Sequence, residues 1–234
     1  MGELKFIEEG HRYVKNGIDY KSVSKVISTV EPHFPARVIA QNIAKSQGTT
    51  VEEILEEWDR KRDMASQIGN DIHNALDEYN KKGISQDPYW NKIAEDLQKK
   101  LFSDYNYVDS EYMVESDKFK VAGTIDRLCY RNKQVVDIRD FKTNERKGIE
   151  YRDKYNKYMK DPLSYLENTN YNRYSLQLSC YGYLVEESLK YKIGNMALIY
   201  ISPVDPMNWK YIPVPYMKRE AEILLAFHGL NTSN

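Results

Sequence analysis

The sequence predicts an α/β fold in which helices flank one central mixed β-sheet. Three observations predict it. Apolar residues recur at helical spacing between 50 and 102, and three runs rich in Val, Ile and Tyr follow one another between 107 and 141. The chain then closes on alternating helix and strand patterns.

In chain order, residues 5–8 and 13–14 read as short strands of a hairpin, and Asn16-Gly17 is the signal of a type I′ turn. Ser22 offers an N-cap hydroxyl to a helix whose Val23, Val26, Ile27 and Val30 fall at i, i+3, i+4 and i+7. Pro32 and Pro35 punctuate it. From 50 to 79 the positions Ile54, Trp58, Ala65, Ile68, Ile72, Leu76 and Tyr79 mark a long amphipathic helix, or two end to end, with Gly69 as a break or a point of close backbone approach. Lys81-Lys82-Gly83 ends this unit, and Ile93, Leu97 and Leu101 stripe a further helix over 90–102. The runs 107–115, 120–130 and 134–141 are three strands separated by polar turns such as Arg131-Asn132-Lys133. A helix over 176–191, a buried strand over 196–201, an edge strand over 209–214 containing Pro213 and a helix over 217–228 complete the pattern.

The 234 residues suit a single domain with one sizeable core. Its parts are a hairpin and helix extension over 1–50, a helical part over 51–105, and a sheet core over 106–234 with a basic, Tyr-rich insertion over 146–174. Lys plus Arg number 34 against 35 Asp plus Glu, so no bulk charge draws the chain to nucleic acid or membrane, and any such partner is engaged locally. No apolar run approaches the roughly 20 residues that cross a bilayer, and the start MGELKFIEEGHR lacks an apolar h-region, so a cytoplasmic protein with no membrane partner is expected. The two cysteines, Cys129 and Cys180, cannot supply the four thiolates of an iron–sulfur cluster and read as core fillers. The 20 Tyr would suit base stacking, but Tyr, Asn, Lys and Ile rise together in AT-rich genomes, which is the preferred reading of composition alone.

The chemistry concentrates in VAGTIDRLCYRNKQVVDIRDFKTN, residues 121–144. In a strand ending at Asp140-Phe141-Lys142, the acid and the base project from one face and Phe141 from the other. Asp126 lies in the preceding strand within the apolar frame from Ile125 to Leu128, where a lone carboxylate is costly unless it meets a cation. Two carboxylates and an ammonium on neighbouring strands suit a hard divalent ion and a phosphate. A surface ion pair is the commoner meaning of D-x-K by itself.

GTIDRL followed by VVDIRDFKT resembles the paired motifs of the PD-(D/E)xK nuclease superfamily, in its RecB-like and lambda-exonuclease-like branches. QIGNDIHNALDEY is similar to the RecB-family helix G-x3-H, here Gly69 and His73, preceded by Trp58 and Ser66 as in the branch that holds mitochondrial genome maintenance exonucleases and many phage nucleases. YSLQLSCYGYLVEE is similar to that branch's Q-x3-Y helix, here Gln177 and Tyr181. HRYVKNGIDYKSVS is similar to the start of many phage members. The resemblance implies a restriction-endonuclease-like core in which His73, Asp126, Asp140 and the carbonyl of Phe141 ligate Mg²⁺ or Mn²⁺. Lys142 would orient or deprotonate the attacking water. Gln177 and Tyr181 would support Lys142 or contact phosphate, with core packing of Tyr181 as the rival, and Glu111 would stand behind the metal ligands or bind another ion, unless it is an ordinary exposed strand residue. Without the motif, His73 reads as a boundary histidine of the core. No proline stands near Asp126, as is usual in this branch.

The implied activity is a metal-dependent DNA nuclease, an exonuclease rather than an endonuclease, acting on single strands or duplex ends in recombination, repair or DNA processing in a bacterial or phage-infected cell. A non-catalytic nucleic-acid-binding protein of the same fold and an endonuclease of the superfamily are the rival readings. No G-x4-G-K-[ST] motif occurs, so a helicase or recombination partner would be a separate chain, and a homo-oligomer stays open by analogy with lambda exonuclease. Residues 146–160 carry six basic side chains against Glu150 and Asp153, interleaved with Tyr151, Tyr155 and Tyr158. They read either as a solvated segment or as a backbone-tracking insertion in which Lys147, Lys154 and Lys157, with Thr143 and Arg173 nearby, contact nucleic acid.

Overall fold

Asn16 and Gly17 take φ of 52° and 76°, the left-handed pair that a type I′ turn requires, and fold β2 (Arg12–Lys15) onto β3 (Ile18–Ser22). The structure, a computed structural model, describes residues 2–10, 12–143, 148–149 and 157–232, the side chains of 231 and 232 excepted. The described strands form one mixed sheet, with β1 (Lys5–Ile7), β4 (Tyr107–Ser116), β5 (Val121–Tyr130), β6 (Val135–Lys142), β7 (Lys192–Tyr200) and β8 (Lys210–Val214) joining the hairpin pair. The hairpin is not an appendage: β3 adds to β5 in parallel through Lys21↔Val121 and Ser22↔Ala122. Pro213 lies in β8, which among the described strands pairs with β7 alone, so a missing amide is tolerated there.

Helices cover both faces. On one face α1 (Val23–Ser28), α5 (Asn170–Ser188) and α6 (Lys218–Thr232) bury Val26, Leu176, Leu184 and Leu224 against Ile125, Leu128, Ile138 and Leu198. On the other, the C-terminal half of α3 (Val51–Lys82) and α4 (Pro88–Leu97) bury Ile72, Leu76, Ile93 and Leu97 against Cys129, Phe141 and Ile199. A looser π turn, Gln98–Phe102, extends α4. The helix α3 opens on a Thr50–Glu53 capping box and runs unbroken through Gly69 to Gly83, whose φ of 75° ends it. Its N-terminal half leaves the sheet and packs instead on α2 (Ala36–Gln47) through Ile54, Ala40 and Ala44.

Three differences from the sequence reading have physical causes. The helix α2 presents only Ala40 and Ala44 as its buried positions, a weak apolar stripe that periodicity passes over. The helix α5 begins at Asn170, not 176, because the Thr169 hydroxyl accepts from the Asn172 amide and caps it, so the insertion ends before 170. The described end of the insertion is packed, with Met159 and Leu163 buried and the Lys160 amide donating to the Val30 carbonyl at 2.6 Å.

The β6–β7 pair is pinned by Asp137, fully buried, whose carboxylate accepts from the Asn195 amide at 2.8 Å and from the Tyr105 hydroxyl at 2.6 Å and pairs with Arg131 and Arg139. Register between the two strands shifts at this point, between Val136 and Ile138. On the opposite face the ring of Tyr181 lies flush on Gly123, and a Cβ there would overlap its Cε1 edge. Gly123→Ala is therefore expected to cost about 1–3 kcal/mol in urea denaturation. In a Tyr181→Ala background that cost should fall toward zero, the coupling a direct contact produces.

Candidate functional site

On one edge β5 pairs with β4 at every residue but Asp126, opposite Glu111, while its other edge is divided. Val121 and Ala122 face β3, Arg127 to Tyr130 face β6, and the residues between have no ladder partner on that side. The two neighbours diverge there, and Asp126 fills the gap: its Oδ2 accepts from the Phe141 backbone amide at 2.7 Å. Side-chain alternation slips at the same residue. Ile125 and Leu128, three apart, join the α5-side core, whereas the Arg127 guanidinium stacks 5.1 Å over Phe141 on the α3 side. Across the ladder, Glu111 takes φ of 52°, a conformation that a non-glycine residue adopts only under local constraint.

The slip turns Asp126 and Glu111 toward His73 of α3. One ligand atom from each of the three lies within 4.8 Å of the others, and His73 Nδ1 is 3.5 Å from Asp126 Oδ2. The His73 imidazole stands edge-on to the Phe141 ring at 5.8 Å. Solvent reaches the Glu111 side chain, while protein crowds its carboxylate from within. That crowding first, and the charges of Asp126 and Asp77 second, push its pKa up to about 8. Beneath the acids Arg127 is buried, donating to the Asp126 carbonyl and to the Leu76 carbonyl of α3, each at 2.7 Å. One imidazole nitrogen and two carboxylates form a hard donor set that fits Mg²⁺ or Mn²⁺, and a cation between the carboxylates would relieve their repulsion.

Asp140 and Lys142 project to the α5 side, as D-x-K in a strand requires, and form an ion pair with side chains 4% and 16% exposed. Burial raises the Asp140 pKa against the pull of Lys142. For Lys142, burial opposes the charged form, but Asp140 and Asp126 outweigh it and the ammonium is strengthened. Its Nζ sits 4.8 Å over the Tyr174 ring. One turn on, Gln177 donates to the Tyr181 hydroxyl at 2.9 Å, and burial raises the Tyr181 pKa, with Asp140 adding to it. Gly69 faces the strand end: a Cβ there would come 3.1 Å from Thr143 Oγ1, so the glycine marks a close approach and not a helix break.

The expected site residues thus gather at one place, with one rearrangement. The three donors that converge are His73, Glu111 and Asp126, while Asp140 turns to Lys142. Among the expected nucleic-acid contacts, Arg173 pairs with Glu31 at 2.6 Å and Lys157 is exposed. Lys147 and Lys154 lie outside the described residues. Two tyrosines passed over in the sequence belong to the surroundings of the site. Tyr174 underlies Lys142, and Tyr13 of β2 shares a 2.8 Å hydrogen bond with Thr124, two residues before Asp126. The i, i+3 spacing of Tyr174 and Gln177 was the available signal for the first; nothing local pointed to the second.

Two solved structures resemble the chain only loosely. The protein SSO0001 is 16% identical, with 91% of this chain and 76% of that one covered at a TM-score of 0.35. A candidate exonuclease from Eubacterium rectale is 14% identical, with 92% and 79% covered at a TM-score of 0.40. A search of the curated proteins returns no match. The family model described as the PD-(D/E)XK nuclease superfamily, in contrast, matches residues 32–222, most of the chain and every residue from His73 to Tyr181. The chain belongs to the PD-(D/E)XK nuclease superfamily.

Proposed function

We propose that the chain is a divalent-metal-dependent deoxyribonuclease of the RecB-like and lambda-exonuclease-like branch, cleaving phosphodiester bonds from DNA ends in phage or bacterial recombination, repair or processing. The observation that carries this reading is the convergence of His73, Glu111 and Asp126 beside the buried Asp140–Lys142 pair, where β3 and β6 part. The G-x3-H and Q-x3-Y helices flank that point from opposite faces of the sheet. No described helix is long and apolar enough to cross a membrane.

Mg²⁺ or Mn²⁺ held by His73, Glu111 and Asp126, with Asp140 and the Phe141 carbonyl adjoining, would supply positive charge against the scissile phosphate. Asp126 keeps its carboxylate aimed into the gap because the Phe141 amide holds one oxygen. Lys142, paired with Asp140, is an ammonium donor that orients water for attack on phosphorus and offsets the charge that develops there. Water oxygen would bond to phosphorus as it gives up a proton to solvent, the ester P–O bond would break, and the departing oxygen would take up a proton from solvent. Tyr181 and Gln177 buttress this face. Any homo-oligomer, or a separate helicase or recombination partner, is part of this proposal through the branch alone.

Asp126→Ala, Asp140→Ala and Lys142→Ala are each expected to lower cleavage of end-labelled linear DNA by at least about 100-fold with Mg²⁺ or Mn²⁺, at unchanged far-ultraviolet circular dichroism. A loss below tenfold in all three overturns the site. His73→Ala should weaken Mn²⁺ affinity by about tenfold or more in calorimetry while DNA affinity in EDTA holds, and excess Mn²⁺ should restore part of the activity. Closed circular DNA should survive conditions that digest the same molecule once linearised; its degradation at an equal rate replaces the exonuclease with an endonuclease.

A further inference from the structure

A cleft of about 780 Å³ opens between the β2–β3 hairpin, the turn joining β4 to β5 and the end of α6, away from the acidic cluster. Five basic residues line it (Arg12, Lys21, Lys25, Lys118 and Lys120), with Asp19 as the one acid. Asp19 is taken by Arg12 at 2.6 Å. Lys120 stands 4.0 Å from Asp117, which already binds Lys15 at 3.0 Å and the Tyr20 hydroxyl. Among the described residues Lys21 and Lys118 form no salt bridge. A chain of net charge −1 thus gathers five cations and one lining acid in one concavity, at a cost in self-repulsion that a bound anion lowers.

The cleft is assembled from distant segments. Parallel pairing of Lys21 with Val121 sets the hairpin lysines beside those of the turn, and the Lys21 amide donates to the Lys120 carbonyl at 2.8 Å. Arg12, Lys21 and Lys25 precede residue 32, where the family match begins, so this feature lies largely outside what the superfamily model describes. Four of the five cations are lysines, point charges on flexible stems that neutralise phosphate without imposing the fixed geometry of a small-ligand site. The five cations are spread over four elements, which suits a chain of phosphates better than one. From Val121, the ladder partner of Lys21, to Asp126 is five residues of β5, or about 17 Å at roughly 3.3 Å per residue. One strand of a duplex carries a phosphate every ~3.4 Å, so that distance corresponds to about five phosphates.

We propose that this cleft is a second nucleic-acid contact, gripping the phosphodiester backbone a few phosphates from the bond held at Asp126; the assignment of the cut rests on the nuclease reading above. The grip is independent of base sequence and takes no part in the chemistry. It raises affinity for substrates long enough to span both places.

The test is binding in EDTA, where no cleavage is needed, followed by anisotropy of a labelled duplex of about 20 base pairs across a salt series. Combined Lys21→Gln, Lys118→Gln and Lys120→Gln should flatten the log–log salt slope by about 2 to 3, at roughly 0.9 per phosphate contact, while the matching Lys→Arg triple retains it. In Mg²⁺, the Gln triple should raise KM for long DNA and leave kcat unchanged. On the native chain, lysine acylation read by mass spectrometry should show Lys21, Lys118 and Lys120 protected by the duplex but not by inorganic phosphate at equal phosphate concentration, a readout that does not depend on the variant folding. An unchanged slope, absent protection by DNA, or protection by inorganic phosphate alone overturns the proposal. Native protein that binds DNA in this way yet cuts nothing with either metal would sink the nuclease reading and leave the cleft standing. Cleavage with an unchanged slope would do the reverse.

Discussion

The edge of β5 has two claimants, and the site exists because neither takes all of it. β3 holds the first two residues in parallel, β6 holds the last four antiparallel, and a strand cannot satisfy both directions continuously. The backbone between them must find partners elsewhere or open to solvent. Asp126 bridges the opening by accepting the Phe141 amide, a group that would otherwise be unpaired where β6 swings away. A carboxylate thereby substitutes for a strand. Its placement follows from the sheet's own need for a hydrogen bond, and the same placement fixes its remaining oxygen lone pairs for other use.

Charge is then managed by layers. Asp126, Glu111 and Asp77 stand above the buried Arg127, whose field they share, and Arg127 is in turn fastened to the backbone of both β5 and α3. On the other face Asp140 and Lys142 neutralise one another. Buried pairs of this kind contribute little net stability, since desolvation offsets much of the attraction, but removing one partner strands the other at a cost of several kcal/mol. Such groups keep their orientation before any substrate arrives, and preorganised dipoles and charges are what lower a barrier built on developing charge. Asp137 solves the analogous problem at the far end of β6, where two arginines, a tyrosine hydroxyl and a backbone amide saturate one carboxylate.

What could be read from the chain was whatever lies close in sequence. Asp126, Asp140 and Lys142 sit in one β-hairpin, so a period of two and a short turn suffice to bring them together. His73 and Gln177 were reached through motif resemblance, and their helices were legible from apolar spacing. Glu111 could be placed on the neighbouring strand, but its left-handed backbone, and the slip in alternation that aims it, leave no trace in residue type. Tyr13 and the lysines of the hairpin meet their partners about a hundred residues away through a parallel pairing only two residues long, which no local pattern encodes. The start of α5 was hidden because a Tyr-rich, basic stretch resembles a loop in composition while its Thr169 cap and packed tyrosines make it helix.

That short pairing has a consequence for how the molecule breathes. The hairpin is tied to the sheet by two ladder positions, by a small cluster of Leu4, Tyr13 and Tyr20 on Ala122, and by Lys15 reaching Glu115 and Asp117. The β5–β6–β7 ladder, by contrast, is sealed between two helical layers. Cooperative units with few buried contacts open at a fraction of the global free energy, so amides of β2 and β3 exchange with solvent through a subglobal event that leaves those of β5 to β7 protected. Tyr13 and Lys21 ride on the same unit, and its opening would therefore disturb both the wall beside Asp126 and the basic cleft, which the Tyr13–Tyr20 pair already joins.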